Sequence, residues 1–260
     1  MEPNKRRTIA RAKEGNTGAW LSIMPKARSG NVLSAREFRD NLALRFALPI
    51  QQMPDTCDGC GARMDLQHAL GCMKGGLVTR RHNEVRDEIA DLAQMAYGTS
   101  AVRLEPTVRE GTTNAEGLQA DISVRGVYEN QVEASLDIRV TDTDAESYKL
   151  KSVLQVLKSQ EMDKKRKYKK PCEERRWHFT PFICSVDGAL GKEAIGFLKR
   201  LAHKLAIKWH SKYSVVMGFV RARVSLAIVR ATSLCIRGSR KAVDGFRFAL
   251  DDGAGMCLHF

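Results

Sequence analysis

The stretch from Leu118 to Tyr168 constrains the fold more than any other part of the chain. It contains two short runs, Leu118-Gln119-Ala120-Asp121-Ile122-Ser123 and Ala134-Ser135-Leu136-Asp137-Ile138-Arg139-Val140, separated by a polar turn around Gly126 to Asn130. Both read as strands, and the short connection predicts a hairpin. Side chains two apart share a strand face, so Asp137 and Arg139 project together while Leu136, Ile138 and Val140 enter a core. Asp121 stands at the start of its strand, and hairpin pairing brings it near Asp137. A long basic amphipathic helix follows, with Leu150, Val153, Leu154 and Leu157 on its apolar face and Pro171 at its end.

The helix closes on Asp163-Lys164-Lys165-Arg166-Lys167-Tyr168. Two carboxylates on neighbouring strands can hold Mg²⁺ (or Mn²⁺), and such an ion polarises a phosphate and lowers the pKa of its water. A nearby cation then stabilises the charge that develops on phosphorus. Each aspartate taken singly is an ordinary strand-end or turn residue. The run Lys164 to Lys170 is also a nuclear-localisation pattern or a solvated helix end. The order of the set favours a phosphodiester-cleaving centre.

The flanking segments supply a scaffold of alternating elements: helix (80–97), strand (100–108), strand (119–124), strand (134–141), helix (145–169), strand (177–186). The helix from Arg80 has Val85, Ile89, Leu92 and Ala93 on the 3.6-residue period. Glu84, Glu88 and Asp91 lie on or near another face, either as a solvated acidic side or with Glu84, beside Arg80, Arg81 and His82, aimed at the active site. Pro106 marks the edge or end of the strand 100–108. Helices over 192–209 and 213–236 finish the chain, the second stopping at Gly238. From Lys192 to Lys241 there are twelve Lys or Arg and one acidic residue, Glu193.

The whole chain has 43 Lys+Arg against 30 Asp+Glu, a net charge of +13. Such an excess points to a polyanionic partner. Arg80, Arg81, His82, Arg139, Lys199, Arg200, Lys204, Lys208, Arg221 and Arg223 are the candidate nucleic-acid contacts. No uncharged apolar run reaches membrane-spanning length, because Arg221, Arg223 and Arg230 interrupt the longest one. The polar N-terminal residues have no signal-peptide core.

Upstream, Ser34 and Glu37 form a capping-box pattern opening a helix that Leu48-Pro49 stops. Cys57-Asp58-Gly59-Cys60 is then followed by His68 and Cys72. Two thiolates two apart make a knuckle, and His68 and Cys72 are one helical turn apart. Three thiolates and an imidazole fill a tetrahedral Zn²⁺ shell, so the site is structural and the thiols point to a reducing compartment.

Together, the cluster Cys57, Cys60, His68, Cys72, then Arg81-His82-Asn83, Ala120-Asp121, Asp137 and Lys164-x-x-Lys167-Tyr168 resemble the C-terminal part of site-specific non-LTR retrotransposon polyproteins. There a Cys-Cys-His-Cys motif precedes a restriction-like endonuclease of the PD-(D/E)XK superfamily. The resemblance covers roughly residues 20 to 240. It implies an α/β fold, a restriction-endonuclease-like mixed sheet flanked by helices, with divalent-metal cleavage of DNA to give a 3′-hydroxyl that primes reverse transcription. Asp121 takes the place of the first acid and Asp137 of the second. Arg139 stands where the wider superfamily has lysine, and arginine does not act as a proton acceptor. The catalytic lysine is then expected from the helix, with Lys164, Lys165 and Lys167 as candidates beside Tyr168. Ala120 replaces the proline of the first motif.

Five segments are expected: a disordered basic tail (1–17), a helical linker with the zinc module (18–78), the nuclease core (79–191), its basic helical extension (192–240) and a tail (241–260). DNA is the expected partner, with the element's RNA as a second candidate, and the expected site of action is the nucleus. No Tyr-x-Asp-Asp-type signature is present, so the resemblance places a reverse-transcriptase domain in a parent polyprotein. The rival expectation is a catalytically inactive nucleic-acid-binding protein on the same scaffold.

Overall fold

The computed structural model describes residues 3–111 and 116–241. The expected flexible loop Gly111–Gly117 falls largely, and the expected tail 241–260 almost wholly, outside the described residues. Seven α-helices are described: α1 (Pro3–Ala12), α2 (Ala35–Arg45), α3 (Leu66–Gly71), α4 (Leu77–Tyr97), α5 (Val153–Glu174), α6 (Lys192–Lys208) and α7 (Tyr213–Arg237). The strands are β1 (Val102–Leu104), β2 (Thr107–Arg109), β3 (Leu118–Gln119), β4 (Ile122–Arg125), β5 (Glu133–Thr141) and β6 (His178–Ser185).

A four-stranded mixed sheet in the order β1-β4-β5-β6 organises the molecule. β1–β4 and β4–β5 pair antiparallel, the second pair being the expected hairpin, and β5–β6 pair parallel across the α5 crossover. Alternation along β5 separates two layers. Ala134, Leu136 and Ile138 enter the main core with Val85, Ile89 and Leu92 of α4, Phe197 and Leu201 of α6, and Val220 and Val224 of α7. Ser135 and Asp137 face α5 on the other side, where Val153 and Leu157 pack on Ile183. The result is helices on both faces of a mixed sheet. Pro181 is accommodated because β6 is an edge strand.

Several boundaries differ from expectation, each for a local reason. The strand expected over 100–108 is two, since Pro106 lacks a donor and Glu105 takes a left-handed φ of +49°. β1 stays in the main sheet, while β2 leaves to pair with β3. The strand expected over 119–124 is likewise split around Asp121. α5 begins at 153 rather than 145 because Ser152 and Gln155 form a capping box. Leu150 and Leu154, expected on its apolar face, are exposed. Pro171 lies inside the last turn rather than ending the helix; it is buried beside Cys172, whose carbonyl accepts the Trp177 N–H.

Residues 1–17 were expected to be disordered, yet Pro3–Ala12 is helical and Arg11 is fully buried. The capping box on Ser34 and Glu37 forms as expected. Among the described residues no helix is long and apolar enough to cross a membrane.

Candidate functional site

Asp121 occupies the break between β3 and β4, which aims its carboxylate along the sheet instead of burying it. Its backbone is fixed on both sides: its N–H donates to Leu136 O at 3.0 Å, and its carbonyl accepts from Glu105 N at 2.9 Å. Oδ2 accepts the Ile138 N–H at 2.5 Å, and Oδ1 lies 3.0 Å from His82 Nε2. That imidazole comes from the first turns of α4. Arg86, one turn on, donates to Glu105 Oε1 at 2.7 Å. Glu105, at a left-handed φ of +49°, thus touches Asp121 through its backbone, while its exposed carboxylate pairs with Arg86.

Asp137 sits one residue before the amide that Asp121 captures. Its side chain is only 5% exposed, and Lys164 Nζ of α5 lies 2.5 Å from Oδ2, an ion pair without in-line hydrogen-bond geometry. Burial raises the Asp137 pKa; Lys164 and Tyr168 pull it down, and Asp121 pushes it up, for a net rise. Tyr168, one turn after Lys164, donates its phenol to Gln119 O at 3.0 Å and stacks on Phe179 at 5.0 Å. Burial first, then Asp137 and Asp121, raise the phenol pKa well above its ordinary value. Tyr168 is thus a neutral hydroxyl bracing β3 against α5.

Lys164 is the lysine that reaches Asp137. Lys165 pairs with Glu193 at the start of α6, and Lys167 is exposed, 5.3 Å above the Tyr168 ring. Glu84 is not in the centre: it is exposed and 3.5 Å from Arg80, about 200° round the helix from His82. Arg81 is buried, donating to Leu70 O at 3.0 Å, and so serves the fold rather than a ligand. Arg223 is held by both oxygens of Glu88, at 2.6 and 3.1 Å, which removes it from the free cations. Arg139 is half-buried on the face of Asp137 and has no hydrogen-bonding or ionic partner among the described residues.

Lys199 and Arg221 are exposed. Arg200 covers the Tyr128 ring at 4.8 Å, Lys204 lies 5.9 Å from the Tyr97 ring, and Lys208 donates to Met95 O at 2.7 Å. The position of Glu105 was hidden in the sequence, although the Glu-Pro pair signals a break. His82 was legible as a polar cluster member but not as the partner of Asp121.

The second centre is the Cys57, Cys60, His68, Cys72 cluster, whose ligand atoms all lie within 4.8 Å of one another. Cys57 Sγ and Cys60 Sγ lie near Cys72 Sγ, each at 3.9 Å, and Cys60 Sγ lies 3.4 Å from His68 Nε2. A tetrahedral zinc with bonds near 2.3 Å to sulfur and 2.0–2.1 Å to nitrogen has ligand edges of about 3.8 and 3.5 Å. The cluster can hold zinc. Against the effect of burial, backbone N–H groups of Gly59 and Cys60 and the side chain of His68 lower the Cys57 pKa to about 6. That thiolate is a ready first ligand.

The module is welded to the core. Asp58 accepts from Ser239 Oγ at 2.6 Å and from Arg240 N at 3.1 Å, and buried Arg240 donates to Ala69 O at 2.8 Å. Comparison with protein-family models finds no match to this chain, and comparison with curated proteins finds none.

Proposed function

We propose that this protein is a metal-dependent DNA endonuclease of the PD-(D/E)XK type, carrying a structural zinc module. The observation that carries the reading is the Lys164–Asp137 contact of 2.5 Å, made from α5 and not from position 139. It supports a centre in which Asp121 and Asp137 would hold Mg²⁺ or Mn²⁺. When bound, the ion supplies a polarised phosphate and an acidified water.

The chain's own residues do the rest. His82 and the Ile138 N–H fix the orientation of Asp121. Asp137 gives up its proton more reluctantly than an ordinary carboxylate, and it would hold the ion in place of its present pairing with Lys164. The freed ammonium faces the charge developing on the phosphoryl oxygens. Arg139, free on the same face, is placed to hold an adjacent phosphate. In a retrotransposon-derived setting the product would be a nick whose 3′-hydroxyl is extended by a reverse transcriptase, in the nucleus.

One observation favours the rival reading of a nuclease-derived binding protein without catalysis: both Asp121 oxygens already have partners, as in an inert strand cap. Nicking of supercoiled plasmid by the zinc-loaded chain with Mg²⁺ or Mn²⁺ separates the two. The nuclease reading expects nicks that Asp121→Asn and Asp137→Asn abolish while duplex binding persists. Steeply salt-dependent binding with no nick under either metal supports the rival.

A further inference from the structure

The elbow between α6 and α7 carries aromatic rings that the core does not use. Trp209, Tyr213 and Phe219 remain 40%, 42% and 37% exposed, although the adjoining faces of both helices are packed into the main core. Trp209 and Phe219 meet edge to face, 5.5 Å between centroids. The turn that presents them is firmly set: Trp209 N donates to Leu205 O and Ser211 N to Ala206 O, with His210 at a left-handed φ of +50°. Such a conformation in a non-glycine residue persists where its surroundings over-determine it.

The surroundings of the rings are cationic. Lys204 and Lys208 stand one helical turn apart on α6, Lys212 follows the turn at the start of α7, and Glu193 is the one acid in the sequence from Lys192 to Lys241. Of the acids on the facing side of α4, Glu88 is neutralised by Arg223, which itself sits 5.9 Å from the Phe219 ring. Asp91, one turn on, leaves the balance strongly positive.

We infer that the α6–α7 elbow is a binding platform for an unpaired nucleic-acid strand, with bases stacking on Trp209 and Tyr213 and phosphates lying against Lys204, Lys208 and Lys212. A duplex keeps its base faces covered and can use only the lysines; exposed rings beside cations gain from a strand whose bases are free. The platform rests on the nucleic-acid side of the function proposed above but not on its chemistry, since no contact joins it to Asp121 or Asp137 among the described residues.

The test uses the full zinc-loaded chain without Mg²⁺, titrated into fluorescent 20-nucleotide oligo(dT), oligo(rU) and a duplex of equal length. Trp209→Ala is expected to weaken binding of at least one single strand about tenfold, the loss of one stacked base, and duplex binding less than twofold. Trp209→Phe should retain most of the affinity. If the alanine variant melts early, Tyr213→Ala gives the same reading, because that ring is 42% exposed and its hydroxyl donates to Met217 Sδ at 3.7 Å. Equal weakening on single strand and duplex, or no weakening on either, overturns the platform. So does sedimentation showing a self-association that Trp209→Ala abolishes. Wild-type protein that nicks plasmid but fails this test removes the platform alone; one that binds single strands through Trp209 but never nicks removes the nuclease reading alone.

Discussion

Three adjacent lysines on α5 are chemically alike, and what distinguishes them is their direction. Positions 164 and 168 are one turn apart, so Lys164 and Tyr168 share the face turned to Asp137, whereas residues 165 and 167 point about 100° and 300° round from 164. Lys164→Ala should therefore lower single-turnover nicking at least about a hundredfold, the scale of losing one charge-stabilising group. Lys165→Ala and Lys167→Ala should stay within about threefold, and an equal loss at Lys165 would sink the assignment. Asp137 yields a prediction independent of activity. Its folded-state pKa is raised, chiefly by burial. The stability this contributes is present in full below the ordinary carboxylate value of about 4 and is lost as pH rises through the raised value. Asp137→Asn should flatten that decline, so that without Mg²⁺ its stability relative to wild type rises from pH 4 to pH 8. Chemical denaturation between pH 4 and 8 checks it; a variant with an unchanged pH slope contradicts it.

At the level of elements, what could be read beforehand was what depends on neighbours in sequence. The β4–β5 hairpin, the apolar face of α4 and the Ser34 cap follow from period and local hydrogen bonding. The start of α5 was as local, since Ser152 and Gln155 spell the same box, but the apolar Leu150 drew the boundary outward. The path of β1–β2 was not legible, because it depends on Glu105 pairing with Asp121 across the fold. The carboxylate pair could be read from strand alternation, while choosing among the lysines, discarding Glu84 and seating Arg81 needed the packed helices. The zinc module shows the same limit. The grouping of Cys57, Cys60, His68 and Cys72 was legible from spacing, yet its attachment to the end of α7 through Asp58 and Arg240 was not. That attachment predicts the effect of metal loss. Removing zinc, or Cys72→Ser, should open residues 53–76 and the chain after Arg237 to protease together, while the sheet and α5 keep their hydrogen-exchange protection. Cleavage confined to the knuckle would show that the two are not coupled.

Across the whole molecule, α1 joins parts of the chain that no local rule connects. Arg11 is fully buried, with Nε 2.7 Å from Asp187 Oδ2, a second contact to Asp144 and Nη2 donating to Leu44 O at 2.7 Å. Arg7 adds a contact to Asp144 Oδ1 at 2.9 Å. The two aspartates follow β5 and β6, the parallel pair of the sheet, and Leu44 belongs to α2. One guanidinium thus holds the N-terminal helix, the linker helix and the exits of both strands. Sequence reasoning took this segment for a tail because its charges look like solvated ones; their partners lie more than a hundred residues away. Arg11→Ala leaves Asp187 buried without its counter-charge, a loss of about 3–5 kcal/mol or roughly 10 °C in Tm. The size should depend on pH. Burial raises the Asp142 pKa and Arg11 lowers it, so losing the arginine lets it rise further. The penalty is then largest at alkaline pH and shrinks as acidification protonates Asp142, so the gap between variant and wild type should be smaller at pH 5 than at pH 8. Adding Asp142→Asn to Arg11→Ala should recover part of the stability at pH 8 and less of it at pH 5. A penalty that stays constant across this range would mean that Arg11 acts through packing alone.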